Sequence, residues 1–84
     1  MKIAVIHGPN LNLLGQRDPQ VYGSLTLQDI EHGLAHQFPS ISFEFFQSNL
    51  EGEIIEQIQY CIRERLPLII NPGGYTHTSV AIRD

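Results

Sequence analysis

Residues 2–10 read KIAVIHGPN, and the first six of them form an apolar run that ends abruptly at Gly8 and Pro9. A run without regular polar alternation is typical of a strand that is buried on both faces. Strands of this kind occur mainly in parallel sheets that are covered by helices. Lys2–His7 therefore predicts the first strand of an α/β fold.

A helix is predicted to follow, with Thr26 at its N-cap. Thr26 and Asp29 have the spacing of a capping box, with Asp in place of the usual Glu. The helix is expected to end before Pro39, which cannot continue it. Its apolar residues recur at helical spacing and should share one face. They are Leu27, Ile30, Leu34 and Phe38.

The remaining elements continue the alternation of strands and helices. Ile41–Gln47 is rich in aromatic and β-branched residues and predicts a second strand. Glu51–Arg65 predicts a second helix, because acidic residues occupy its first turn and arginines its last. Leu66–Ile70 predicts a third strand, and Thr76–Asp84 the first turns of a third helix. The apolar face of the second helix comprises Ile54, Ile58 and Cys61.

An order of β-α-β-α-β-α predicts a parallel sheet with right-handed crossovers. In the flavodoxin-like strand order, strands 1 and 3 are neighbours, and ligands bind where their carboxyl ends diverge. The segments that leave these two strands are residues 7–10 (HGPN) and residues 71–74 (NPGG). We therefore expect these two turns to meet at one crevice.

Leu66–Ile70 is apolar throughout, as if it needed cover on both faces and a neighbouring strand at its edge. The last predicted helix reaches Asp84 without a C-cap signal. Residues 1–84 are therefore expected to form a single incomplete flavodoxin-like domain. Its C-terminal strands would be supplied by a longer natural chain or by a partner chain.

The composition limits the classes of partner. A net charge of −4 and a pI of about 5.4 argue against nucleic acid or an anionic membrane as a partner. No apolar stretch is long enough to span a bilayer, and Lys2–His7 is too short for a signal peptide, so a cytoplasmic location is expected. Cys61, the single cysteine, has no internal disulfide partner and is expected to be a buried packing residue.

No metal site or cofactor is predicted. His32 and His36 are four residues apart but lie opposite the apolar face of their helix, without an apparent third ligand. They are interpreted as part of a solvated face. The sequence also lacks Gly-x-Gly-x-x-Gly, Walker and Cys-x-x-Cys patterns, which would indicate nucleotide or thiol chemistry.

The 18-residue connection of residues 8–25 is longer than the two to six residues that usually join a strand to a helix. It is interpreted as a lid over the crevice. The alternative is a disordered surface insertion. It is disfavoured because Leu11, Leu13 and Leu14 would bury part of the loop. Arg17 and Tyr22 are its most interesting residues, because a nearby guanidinium favours the phenolate form of a tyrosine. By spacing alone, two ordinary surface residues are the simpler interpretation.

The NPGG turn would present backbone N–H groups near a helix N-terminus, which suits an anion or a developing negative charge. A plain strand-to-helix turn is the alternative. His77 follows at the start of the predicted helix, where a neutral hydrogen-bonding role suits it better than a positive charge. A solvent-facing histidine is the alternative there.

Three ordered motifs give the sequence a family resemblance. They are HGPNLNLLGQRDPQVYGSLTL at residues 7–27, FQSN followed by Glu51-Gly52 at residues 46–52, and INPGGYTHTSVAIRD at residues 70–84. Together they cover nearly all of the chain and resemble the type II 3-dehydroquinases (3-dehydroquinate dehydratases). The resemblance implies a flavodoxin-like lyase without a cofactor that assembles as a dodecamer. Its reaction would be the anti elimination of water from 3-dehydroquinate, through an enolate, to give 3-dehydroshikimate. That step serves aromatic amino acid biosynthesis by the shikimate pathway, or quinate breakdown.

The resemblance also implies roles for individual residues. Tyr22 would take the proton next to the ketone, Arg17 would promote its phenolate, and Asn10 would help to hold a water that stabilises the enolate. The implied substrate-binding residues are Asn71, Gly73, Gly74, His77 and Asp84. Of these, Asp84 would act across a subunit contact. The family's general-acid histidine, its supporting glutamate and its carboxylate-binding groups belong to a later segment, so residues 1–84 alone are expected to be nearly inactive.

Two alternatives to an enzyme remain open from the sequence. One is a flavodoxin-like module that binds a small anion or a nucleotide at the same switch point. The other is a non-catalytic remnant that serves only in assembly.

Overall fold

The computed structural model describes residues 1–16, 20 and 23–84. Among these residues, no helix is both long enough and apolar enough to cross a membrane. The strands are β1 (Lys2–His7), β2 (Ser42–Gln47) and β3 (Leu68–Asn71), and a 3₁₀ turn occupies Leu11–Leu13. The α-helices are α1 (Leu27–Gln37), α2 (Glu51–Arg63), α3 (Tyr75–Thr78) and α4 (Val80–Arg83).

The three strands form one parallel sheet in the order β2-β1-β3. The central strand places His7 opposite Gln47 on one side and opposite Asn71 on the other. This order confirms the α/β prediction and the expectation that strands 1 and 3 are neighbours. The carboxyl ends of all three strands therefore lie at the same edge of the sheet.

The core lies between one face of β1 and α2. Ala4 and Ile6 of the strand pack against Ile54 and Cys61 of the helix, and all four residues are at most 1% exposed. Burying a side chain such as that of Ile54 contributes about 1.5–3 kcal/mol. Cys61 is therefore a buried packing residue, as predicted, and its burial raises the pKa of its thiol.

Helix α1 begins with the predicted capping box. The Thr26 N–H donates to Asp29 Oδ2 at 3.0 Å, and the Asp29 N–H donates to Thr26 Oγ1 at 3.1 Å. The other residues of the predicted apolar face, Leu27, Ile30 and Leu34, are partly buried, whereas Phe38 is 41% exposed. Phe38 caps the helix with a non-helical backbone (φ −124°, ψ 69°), as is common for a residue before proline, and so leaves the apolar face.

Two predicted boundaries shift around the end of α2. The helix ends at Arg63 rather than at Arg65, because Arg65 has a left-handed backbone with φ 52°. The Leu66 N–H then bonds to the Cys61 carbonyl at 2.8 Å, so Leu66 still belongs to the helix-terminal turn. Strand β3 consequently begins at Leu68 instead of Leu66. It extends to Asn71, whose carbonyl accepts the Gly8 N–H at 2.8 Å.

Two other elements also differ from prediction. Strand β2 begins at Ser42 rather than Ile41, whose N–H closes a turn onto the Phe38 carbonyl at 3.0 Å. The single helix predicted from Thr76 is divided into α3 and α4 by Ser79. This residue has an extended backbone (φ −90°, ψ 104°), and its hydroxyl oxygen accepts the Ile82 N–H at 3.0 Å, which makes it the N-cap of α4.

Strand β3 is at the edge of this sheet, and the side chain of Ile69 is 57% exposed. The cover and the neighbouring strand that the sequence predicts for this apolar strand are therefore not supplied by the described residues. In the long connection, Leu11 and Leu14 are partly buried, whereas Leu13 is 39% exposed and does not bury the loop as predicted.

Candidate functional site

The turns that follow β1 and β3 are in direct contact. The β1 turn (residues 8–10) and the β3 turn (residues 71–74) are joined by the bond from the Gly8 N–H to the Asn71 carbonyl. A Cβ atom on Gly8 would overlap the backbone of Pro72. Gly73 has φ 60°, and a Cβ there would lie 3.0 Å from the Pro9 carbonyl oxygen. The predicted meeting of the two turns is therefore confirmed, and two glycines allow their close approach.

A third segment, the β2 turn (residues 47–49), joins the β1 turn through side-chain amides. Gln47 Nε2 lies 3.1 Å from the Gly8 carbonyl oxygen, 3.2 Å from Asn49 Oδ1 and 3.3 Å from Asn12 Oδ1. The Asn10 N–H donates to Asn49 Oδ1 at 3.0 Å. Sequence reasoning gave no role to Gln47 and Asn49, although a polar run at a strand exit was the signal for one.

Asn10 occupies the β1 turn with a left-handed backbone, φ 69° and ψ −7°. Asparagine tolerates this conformation better than other residues with a Cβ atom, because its short amide can bond locally. The Asn10 carbonyl accepts the Leu13 N–H at 3.0 Å, which fixes the start of the 3₁₀ turn. Asn10 is exposed, and its side-chain amide makes no hydrogen bond to another described residue.

Backbone N–H groups of the β3 turn and of α3, which follows it, bond within this segment. The Gly73 N–H donates to Asn71 Oδ1 at 3.2 Å. At the start of α3, the carbonyls of Pro72, Gly73 and Gly74 accept the N–H groups of Tyr75, Thr76 and His77. Helix α3 is a single turn closed by bonds three residues apart. These bonds use the N–H groups of Gly73 and of the first turn of α3, and none of them involves the Gly74 N–H, so the expectation that this turn presents N–H groups to an anion stays a prediction.

His77 and Asp84 lie at different places relative to the β1 and β3 turns, which we call the paired turns. His77 is exposed and is the third residue of α3, within one turn of Gly74. Asp84 follows α4 and lines a cavity of about 330 Å³ with Ile55 and Gln59 of α2. The structure thus brings Asn10, Asn71, Gly73 and Gly74 together, places His77 beside them, and leaves Asp84 along α2.

The predicted pair Arg17 and Tyr22 lies outside the described residues. The described ends of the segment that contains them are close together. A Cβ atom on Gly15 (φ 87°) would lie 3.0 Å from the Ser24 carbonyl oxygen and 2.8 Å from a methyl carbon of Thr26. At Gly15 the chain therefore lies close to Ser24 and Thr26, and a side chain at this position would collide with them. Among the residues that the structure describes, no three His, Cys, Asp or Glu side chains form a cluster that could hold a metal ion.

His7, the last residue of β1, is buried next to these turns. It is 8% exposed, and its Nε2 atom is buried without a hydrogen-bond partner in the part of the chain that the structure describes. Burial lowers the pKa of His7, and the negative charge of Glu31 partly opposes this effect. The folded protein therefore favours the neutral imidazole at this position.

We expect the free energy of unfolding of the whole protein to fall as the pH is lowered from about 7 to 5. The unfolded chain binds a proton at His7 with a pKa of about 6.5, whereas the folded chain binds it only at lower pH, so acid favours unfolding. Denaturant titrations at a series of pH values should show a flatter dependence for His7→Asn. The exposed His36→Asn variant is the matched control and should keep the wild-type slope. An unchanged slope in His7→Asn would contradict this assignment.

Comparison with known proteins shows which family this chain is similar to. The family model described as Dehydroquinase class II matches residues 1–84. A 3-dehydroquinate dehydratase of Sulfurovum sp. is 56% identical over 87 residues, which cover 100% of this chain and 53% of that protein. One of Sulfurimonas denitrificans is 55% identical, with 100% and 54% coverage. The chain therefore spans about half the length of the curated relatives that it matches.

Solved structures of type II dehydroquinases are also similar to this chain. The crystal structure of a type II dehydroquinase from Butyrivibrio crossotus has a TM-score of 0.92 and 45% identity, over 100% of this chain and 60% of that one. The type II dehydroquinase from Propionibacterium acnes has a TM-score of 0.89 and 34% identity, over 96% and 57%.

Proposed function

The chain belongs to the class II dehydroquinase family, and from that premise we propose that the whole protein is a 3-dehydroquinate dehydratase. It converts 3-dehydroquinate to 3-dehydroshikimate in aromatic amino acid biosynthesis or in quinate breakdown. The contact between two turns is the structural observation that best supports this activity. The turn that holds Asn10 meets the β3 turn at the carboxyl ends of β1 and β3, in a chain that matches the family along its whole length. Such a switch point is where parallel α/β sheets bind small molecules.

The proposed reaction begins with removal of a proton from the carbon next to the ketone. Tyr22, as a phenolate favoured by Arg17, takes this proton, and the electron pair moves into an enolate. Asn10 holds a water molecule against the enolate oxygen, a role supported by its exposed amide, which is free of bonds to other described residues. The enolate then re-forms the ketone as the carbon–oxygen bond to the leaving hydroxyl breaks.

The leaving hydroxyl needs a proton to depart as water. By resemblance to the family, a histidine in a later segment donates it, and residues 1–84 contain no counterpart of that segment. We therefore also propose that residues 1–84 by themselves turn over little substrate, since a positioned acid contributes about 10²–10⁴-fold.

Substrate binding is assigned to the β3 turn and the start of α3. Asn71 uses its side-chain oxygen to accept the Gly73 N–H, which leaves its NH₂ group to donate to a substrate hydroxyl. The Gly73-Gly74 backbone permits a close approach, and His77 adds a hydrogen-bonding ring one turn later. Asp84 lies along α2 in this chain, which is compatible with a role at the site of a neighbouring subunit.

The broader setting is proposed on the same premise. We propose a cytoplasmic dodecamer that needs no cofactor and binds neither nucleic acid nor membranes. The net charge of −4 supports the last two points, because such partners attract basic surfaces.

The test is an assay of the full-length protein with 3-dehydroquinate and no added metal or cofactor. We expect the conjugated enone of the product to appear as a rise in near-ultraviolet absorbance. If the protein is instead a flavodoxin-like binding module, it should bind a flavin or a nucleotide tightly and should not consume dehydroquinate. Calorimetric titration with those ligands separates the two functions, and absence of turnover by the complete protein would refute the proposed activity.

A further inference from the structure

The β2 turn belongs to the motif FQSN, which the proposed mechanism does not use. Its residues lie at the carboxyl end of β2, beside the β1 turn. They bond to residues that are distant in sequence, namely Asn10 and Tyr75, and these residues flank the proposed substrate site. These bonds tie the β2 turn to the β1 turn and to the start of α3.

Asn49 joins two parts of the site at once. Its side-chain oxygen accepts the Asn10 N–H at 3.0 Å, and its backbone oxygen accepts the Tyr75 hydroxyl at 3.0 Å. Asn10 belongs to the β1 turn, and Tyr75 opens α3, the helix that carries His77. One exposed residue thus connects the proposed enolate-binding side of the crevice with its substrate-binding side.

Gln47 sets the direction of the Asn49 amide. Gln47 Nε2 donates towards Asn49 Oδ1 at 3.2 Å, so the oxygen of Asn49, and not its NH₂ group, is directed to the Asn10 N–H. The same nitrogen lies 3.1 Å from the Gly8 carbonyl oxygen. The amide of Asn49 is therefore held in the orientation that makes it an acceptor.

Asn10 needs such an acceptor because its backbone is left-handed. A residue with a Cβ atom adopts this conformation at some cost in free energy, and a fixed bond to its N–H helps to hold it. If the bond is lost, the β1 turn can relax and the Asn10 side chain moves with it. Displacements of about 1 Å at reacting groups can cost about 10²-fold in rate.

We propose that Asn49 is a positioning residue for the dehydration reaction, which fixes the Asn10 turn and ties it to α3. This inference rests on the proposed function. Asn49 acts through Asn10 and Tyr75 and does not touch the substrate. Gln47 supports it by orienting its amide.

The test compares Asn49→Leu and Asn49→Asp in the full-length protein. Leucine has a similar size but offers no acceptor, so we expect kcat to fall about 10- to 100-fold with a smaller change in KM. Aspartate keeps an acceptor for the Asn10 N–H and should retain kcat within about threefold. Its added negative charge should raise KM, because the substrate is a carboxylate. Leu50→Ala, a change at the exposed neighbouring residue, is the control and should match wild type.

A second measurement does not depend on activity. Hydrogen-exchange mass spectrometry of a peptide covering residues 8–14 should show faster exchange in Asn49→Leu than in wild type, with Asn49→Asp close to wild type. Unchanged exchange in Asn49→Leu would overturn the link to Asn10, and an unchanged kcat in that variant would overturn the positioning role. An inactive wild-type protein would instead refute the proposed function, so the two failures are distinguishable.

Discussion

Replacing Tyr22 by phenylalanine in the whole protein is expected to lower kcat by about 10²–10⁴-fold and to leave substrate affinity nearly unchanged. The substitution removes only the hydroxyl that is proposed to take the proton, so no base is left for the first step. The aromatic ring remains. Initial-rate assays give kcat, and calorimetric titration of the variant with dehydroquinate gives the dissociation constant.

The matched control for this variant is Tyr60→Phe. It makes the same chemical change on α2, at a partly buried side chain that lines a cavity with Glu56 and Arg63, away from the paired turns. We expect wild-type kinetics from it. Near-normal turnover in Tyr22→Phe would remove Tyr22 as the base, whereas equal losses in both variants would point to a general structural effect.

Replacing Gly8 by alanine is expected to have the second largest effect. The new methyl group would overlap backbone atoms of Pro72. Backbone atoms cannot move aside as the end of a flexible side chain can, so the β1 and β3 turns must separate. Forcing atoms into a close-packed contact costs about 1–3 kcal/mol. We also expect kcat/KM to fall about 10²-fold, because Asn10 and Asn71 would no longer be held together.

Thermal and denaturant unfolding of Gly8→Ala, with steady-state kinetics, tests this expectation. Gly33→Ala provides the control, because Gly33 lies in α1, and apart from its chain neighbours and its own helix backbone no atom of the described residues lies within 4 Å of the new methyl group. Alanine has the higher helix propensity there, so Gly33→Ala should stabilise the protein by about 1 kcal/mol. A Gly8→Ala variant as stable and active as wild type would contradict the close contact of the two turns.

The order of elements could be predicted from the sequence because each signal is local. The apolar run of Lys2–His7 and the capping residues Thr26 and Asp29 act over a few positions, and each is found where the pattern indicated. The convergence of the β1 and β3 turns also followed, because the flavodoxin-like strand order places strands 1 and 3 side by side. Cys61 was assigned to the core from helical spacing alone.

Other features depended on interactions that spacing does not encode. The bond between Asn10 and Asn49 joins residues 39 positions apart, and it exists only once the register of β1 and β2 is fixed. The division of the last helix depends on the backbone angles of Ser79, a residue that is also compatible with helix. The bonds that use the first N–H groups of α3 could not be predicted, because the sequence does not show that α3 would be one turn long.

The central position of β1 has a consequence for synthesis of the protein. Strand β1 precedes both of its partners, which begin at Ser42 and Leu68, so its contacts are all distant in sequence. Ribosomes add about 5–20 residues per second, so about 2–8 s pass between the synthesis of Lys2 and that of Ser42. During that interval β1, whose Ala4, Val5 and Ile6 are buried in the folded protein, has no partner strand. Nascent chains of this protein should therefore depend on chaperones that shield an emerging apolar segment, and the three-stranded sheet cannot form before Asn71 has been synthesised.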